Sequence, residues 1–219
     1  MAIGGLLLLL LSDDSLAKLV FRTEDVYVRQ ADVVVVADTV ATGMRGGVPV
    51  ATVLVHSVLM GAVRGSTLCV RDFPAGEEDM PRFKVGERSL LFLSPIPALS
   101  GVFSSVGAQA TKRVYRSERT ADWAAALERI GRLVAARQQP DEKARVAALV
   151  LLLESDDSQL AAAASNYLNY LATGQQDEEW IVNPPEGSSD WSWKDYFERN
   201  VVAHRRKWQA WWRAKESAQ

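Results

Sequence analysis

Ala31-Asp32-Val33-Val34-Val35-Val36-Ala37-Asp38-Thr39-Val40 is the stretch on which the fold turns. Its β-branched residues lose rotamer freedom in a helix and pack well on a pleated surface, so the segment predicts a strand. Gly43-Met44-Arg45-Gly46-Gly47 follows as a turn, and Val48 to Leu59 predicts a second long strand. Pro49 sits near the start of that strand, where a missing N–H is tolerated. Gly61 to Gly65 turns the chain again, and Ser66 to Phe73 alternates as a third strand. Beyond the acidic loop Pro74–Pro81, Gly86 introduces Glu87 to Ser94, where Leu90-Leu91-Phe92-Leu93 predicts a fourth, well-buried strand. Pro95 to Ser100 turns, and Gly101 to Ala110 predicts a weaker fifth. Upstream, Leu16 to Gln30 predicts a short helix that Val26, Tyr27 and Val28 weaken.

Short strands joined by tight turns predict a small closed antiparallel barrel, and a count of five matches the OB-fold. A flat sheet of that size would expose long edges, and a sandwich wants about seven strands. Within the fourth strand, a period of two places Leu91 and Leu93 on one face and Leu90 and Phe92 on the other. Both faces are buried if helices cover the barrel on one side.

After Ser117 the pattern changes period. All seven tryptophans lie from Trp123 onward. Trp123, Leu127, Ile130 and Val134 recur at helical spacing. Pro140-Asp141-Glu142 opens a second helix, whose apolar side is Val146, Leu149, Val150 and Leu153. Ser155-Asp156-Asp157 breaks and caps. Leu160, Ala164, Tyr167, Leu168 and Leu171 run along a third helix closed by Gly174. A polar segment from Gln175 to Ser189 leads to a final amphipathic helix. The fold class is therefore α+β, a small five-stranded antiparallel OB-like β-barrel followed by an α-helical C-terminal region. The expected organisation is a leader over 1–17, the barrel over 18–117 and the helical region over 118–219.

The 219 residues are 48% hydrophobic and 24% charged, with a formal net charge of -2. That balance excludes bulk disorder, collagen and a polytopic membrane protein, and no whole-chain basicity points to nucleic acid. Leu6 to Leu11 is too short to span a bilayer, but with Ser15-Leu16-Ala17 it matches the apolar core and small-residue cut of a secretory signal. The expected location is extracytoplasmic, secreted or periplasmic, with the cytoplasm as the alternative.

Three stretches carry a family resemblance: Ala31 to Val36, Val55-His56-Ser57-Val58-Leu59-Met60-Gly61, and Phe83-Lys84-Val85-Gly86-Glu87-Arg88-Ser89-Leu90-Leu91-Phe92-Leu93. Together they resemble the netrin-like barrel of tissue inhibitors of metalloproteinases, and more closely that of secreted bacterial proteins with such a barrel. The resemblance covers about residues 20–116 and is structural, not catalytic. The animal inhibitors bind the protease zinc through an amino-terminal cysteine. Here the single cysteine, Cys69, falls inside a predicted strand, so metalloprotease inhibition does not carry over. The hairpin from Asp141 to Gly174 resembles a single HEAT-like unit. One such unit needs to dock on the barrel or the last helix to bury its face.

No constellation announces catalysis. His56 and His204 lack further metal ligands nearby and read as structural histidines. Cys69 has no partnered base and reads as packing. Gly61-Ala62-Val63-Arg64-Gly65-Ser66-Thr67 lacks the lysine and the helix of a phosphate loop and reads as a hairpin turn. The acidic groups Glu77-Glu78-Asp79 and Asp177-Glu178-Glu179 lack calcium-loop spacing and read as solvated loops. No catalytic residue, metal or cofactor is expected. Arg64, Arg71, Arg82, Lys84 and Arg88 form the candidate basic patch of a nucleic-acid barrel, but the barrel half has few aromatics to stack bases.

The final helix is the most unusual segment. Trp193, Phe197, Val201, His204, Trp208 and Trp211 recur every three or four residues, with Trp212 beside them and Arg205, Arg206 and Lys207 among them. Trp193, Phe197, Trp208, Trp211, Trp212, Arg205 and Arg206 are the candidate interaction surface. Docking of this stripe within the protein is expected over contact with an anionic membrane surface. The expected function is a non-enzymatic binding or scaffolding protein that engages a protein partner or the cell envelope. A nucleic-acid barrel and a peripheral membrane protein are the alternatives.

Overall fold

A computed structural model describes residues 23–72, 83–106, 115–116, 123–175 and 193–217. The expected leader, the junction near Ser117–Thr120, Arg82 and both acidic groups lie outside the described residues.

The valine-rich stretch forms β1 (Val33–Arg45) and the next run forms β2 (Val48–Met60). They pair antiparallel from Val34–Met60 to Arg45–Val48, with register shifts that coil the ribbon. Gly46 and Gly47, at φ of 56° and 80°, make the left-handed turn between them. β3 (Thr67–Arg71) adds antiparallel to β2, and β4 (Arg88–Pro95) pairs antiparallel with β1 from Asp38–Arg88 to Val33–Leu93. β5 (Val102–Ser105) joins β4 to β3 and closes the ring in the order β1-β2-β3-β5-β4-β1. A two-residue strand, β6 (Tyr115–Arg116), pairs with the start of β4.

One pair departs from the all-antiparallel expectation: β3 and β5 run parallel, through Cys69–Val102 and Val70–Phe103. The reason is parity. Around a ring with an odd number of strands, direction cannot reverse at every step, so at least one pair must be parallel.

The two faces of β1 and β4 enter different cores. Val33, Val35, Ala37, Leu91 and Leu93 point into the barrel with Ala51, Val53, Leu68, Val70 and Phe83. Val34, Val36, Leu90 and Phe92 point outward, yet are also buried, because the helices cover this wall. That double burial explains the unbroken apolar runs at 33–37 and 90–93.

Beside the barrel lie α1 (Glu24–Gln30), α2 (Trp123–Arg137), α3 (Glu142–Leu152), α4 (Ser158–Thr173) and α5 (Trp193–Ser217). Asp141 caps α3 by accepting from the Ala144 N–H at 2.7 Å, and Asp157 caps α4 by accepting from Gln159 and Leu160. Gly174 ends α4 at φ 75°. The valines of α1 that weaken it as an isolated helix, Val26 and Val28, are buried. Its charges are held by distant partners. Asp25 is fully buried and accepts hydrogen bonds from the Thr23 hydroxyl, from Arg29 Nε at 3.0 Å and from Asn166 Nδ2 of α4 at 3.0 Å. Burial pushes its carboxyl up to about 6, against the pull of Arg29, Asn166 and Thr23. Glu24 pairs with Arg129 of α2 at 3.2 Å. Arg137 of α2 donates to the carbonyls of Val28 and Ala31, tying the end of α1 to the helical layer.

Candidate binding groove on the barrel

The groove is built at the end of the barrel that the helices leave open. The tip of the β1–β2 hairpin, β3 and the β4–β5 loop enclose an open volume of about 720 Å³. That is within the usual size of ligand sites. Thr42, Met44, Arg45, Arg64, Cys69 and Phe103 are among its lining residues, which include no carboxylate among the described residues. Met44 is 67% exposed, a large apolar side chain offered to solvent at the rim. Arg45 crosses the mouth: its guanidinium lies 3.6 Å from the point where a Cβ on Gly101 would stand. Gly101, at φ 72°, lets the β4–β5 turn come that close. Arg45 and Arg64 have no carboxylate within ion-pair distance and no side-chain hydrogen bond among the described residues. Cys69, expected as buried packing, is half-buried and lines this groove, because it alternates along β3 with Leu68 and Val70, which point into the barrel.

A second polar cluster stands on the outer wall, where β1, β2 and β4 meet. Arg88 donates to both carboxylate oxygens of Asp38, at 2.8 and 3.0 Å. His56 Nε2 lies 2.7 Å from Asp38 Oδ2 and 3.0 Å from the Arg88 guanidinium. The Arg88 hydrogen bonds, helped by His56, hold the Asp38 carboxyl down to about 2. The bidentate arginine satisfies the carboxylate, so this cluster pins three strands together and offers no unpaired charge to a ligand. His56 is thus a surface histidine in an ion-pair cluster, since its strand position faces away from the barrel core. Among the described residues no group of three or more His, Cys, Asp or Glu could hold a metal ion.

The aromatic stripe of α5 turns inward. Trp208 is 2% exposed and packs with the helical core, where Trp211 meets it edge-on at 5.4 Å. Trp211 and Trp212 are half-buried against the same core. Arg205 is half-buried and donates to the Ser155 carbonyl at 3.3 Å, while Arg206 is exposed. The side chains of Trp193 and Phe197 lie outside the described residues. The stripe docks on α3 and α4, as the unpartnered face of that hairpin requires. Among the described residues no helix is long and apolar enough to cross a membrane.

Of the basic residues singled out on the barrel, Arg64 belongs to the groove and Arg88 to the Asp38 cluster on a different wall. Arg45 was legible as a turn residue. Its signal is an arginine embedded among three glycines, Gly43, Gly46 and Gly47, at a hairpin tip, where packing gives it no role. The chain matches no family model, and no curated protein is similar to it in sequence.

Proposed function

We propose that this protein is a non-enzymatic binding module, acting outside the cytoplasm, that engages a protein partner or the cell envelope through the barrel groove. The observation that carries the reading is the pair of exposed arginines, Arg45 and Arg64, with no ion-pair partner among the described residues, beside Met44 and Phe103 in one open groove. OB barrels bind ligands on the face of strands 2 and 3 and the loops that flank it, which is where this groove lies. That support is an analogy of fold. We further read the barrel as netrin-like and the α3–α4 hairpin as HEAT-like. Supporting the first, Phe83 and Glu87 are buried around the Gly86 turn that leads into β4. Nucleic acid is the weaker alternative, since among the described residues the groove lining holds a single aromatic, Phe103, where stacking sites use several.

Site-specific photo-crosslinking in the host tests this. A crosslinker at Met44, in the groove, is compared with one at Leu151, which is 71% exposed on α3. A discrete product from Met44 alone, resistant to nuclease, supports the reading. Identical products from both positions, or a product destroyed by nuclease, overturn it. Location is tested separately by fractionating cells and sequencing the amino terminus of the mature chain. A cytoplasmic protein that still begins at Met1 overturns export.

A further inference from the structure

We infer that the groove takes an extended acidic segment of a protein partner, which adds as a strand to the open edge of β1 between Val40 and Arg45. The inference rests on the groove being the binding site. β1 outlasts its neighbour. Its pairing with β4 stops at Asp38–Arg88 and is closed off by Thr39 N–H to Glu87 O at 2.9 Å and Gly86 N–H to Thr39 O at 2.8 Å. Among the described residues β1 pairs from Val40 onward with β2 alone, and every residue from Val40 to Arg45 is exposed. In an antiparallel ribbon alternate residues turn their N–H and C=O away from the partner. On the free side these groups find no protein partner among the described residues.

Such an edge is a template for another strand unless it is blunted. This one, Val40-Ala41-Thr42-Gly43-Met44-Arg45, carries no proline, no lysine and no inward charge. It is also the wall of the groove. Consecutive residues from Ala41 to Arg45 line the cavity, whereas a strand presenting one face would contribute alternate residues. A segment laid along it would run for about 20 Å, at about 3.3 Å per residue. Arg45 stands at one end of that edge, and Arg64 on the β2–β3 loop lines the same groove. Among the described residues both cations are unpaired and the lining holds no carboxylate, so the segment that complements the groove carries the acidic groups. Backbone pairing would supply affinity, and the arginines would select charge.

The test uses the full chain and defined probes. A labelled eight-residue Glu-Val repeat is titrated by anisotropy against a Lys-Val repeat, an N-methylated Glu-Val repeat and an oligo-dT strand. Amide exchange is followed with and without the Glu-Val peptide. The expected result is binding of Glu-Val, at least tenfold weaker binding after N-methylation, and a similar loss for the R45A/R64A double variant. Slower exchange of amides between Ala41 and Arg45 should accompany it. Both arginines are exposed, so the variant keeps its fold. Equal binding of the N-methylated peptide overturns strand addition, and equal binding of Lys-Val overturns the acidic partner. Tighter binding of oligo-dT replaces the partner with nucleic acid. Concentration-dependent dimerisation that protects the same amides replaces it with a second copy. Absence of Glu-Val binding at millimolar concentration overturns the inference outright. If the Met44 crosslink persists in that case, the groove survives as a site and only the strand-addition mode falls.

Discussion

Phe92→Ala tests whether barrel and helices share their stability. Phe92 belongs to a barrel strand but is 3% exposed on the outer wall, among residues of the helical layer. Its ring sits 5.7 Å from that of Tyr27 on α1. Truncating a buried phenylalanine costs about 3–5 kcal/mol, including the cavity left behind. With a urea dependence of about 2–3 kcal/mol per molar for a chain of this size, the unfolding midpoint should fall by about 1–2 M. Every tryptophan lies at or beyond Trp123, so tryptophan emission reports on the helical region and is blind to the barrel directly. Far-UV circular dichroism reports on the whole chain. The expected outcome is that both signals shift together, because the substitution opens a cavity in the core the two layers share. Leu91→Ala, in the barrel interior, should move both signals as well, by about 2–5 kcal/mol. A tryptophan transition that stays at the parent midpoint would refute the coupling. A loss below about 1 kcal/mol by either probe would show that the β4 wall is peripheral.

Other perturbations probe different joints. Asp25, with its carboxyl near 6 in the folded protein and an unfolded value near 3.9, favours folding once protonated. Its contribution is fully present below about pH 4 and is lost as pH rises through 6, a swing on the order of 2–3 kcal/mol. Chemical unfolding from pH 4 to 8 should show that decline, flattened in Asp25→Asn; an unchanged slope refutes it. Asp38 works in the opposite sense: its paired carboxylate adds stability above about pH 4, lost as pH falls through about 2. Gly61→Ala should cost well over 2 kcal/mol, because φ is 81° and the new Cβ would lie 2.2 Å from the Asp32 carbonyl oxygen. Gly65→Ala, at φ 84° in open space, should cost about 1 kcal/mol; equal midpoints for the two variants count against the packing at Gly61. Anionic vesicles should leave tryptophan emission unchanged at moderate salt, since Trp208 is already buried; salt-sensitive co-sedimentation, lost on truncation after Glu186, would instead make α5 a membrane contact.

What could be seen in the sequence was what depends on near neighbours. The runs Val33–Val36 and Leu90–Leu93 are apolar on both faces because both faces are covered, and that shows as the absence of alternation. The α3 and α4 ends were legible for the same reason, since Asp141, Asp157 and Gly174 act on groups within four residues. What depends on closure was not. The parallel β3–β5 pair follows from the strand count of the ring and leaves no mark on either strand. Nor does α1 signal its place locally: Asp25 meets Asn166 across 141 positions of sequence. The groove belongs to this second kind, because Arg45 faces Gly101 only when the barrel is closed.

The division of labour between the two walls follows from the same closure. Helices can bury the outer face of only part of a small barrel, and here they take the wall of β1 and β4 where Val34, Val36, Leu90 and Phe92 point out. β1 runs on past that wall to Arg45, after β4 has ended its pairing at Asp38. Its first half is therefore fixed by packing on both faces, and its second half is exposed and, among the described residues, paired on one side and bordered by arginines without an ion-pair partner. A single strand thus passes from a segment buried on both faces to an exposed edge. Anything that pairs with that edge is held in register by a backbone anchored in both cores. Preorganisation of this kind lowers the ordering cost of binding for the protein, leaving the cost of straightening the partner.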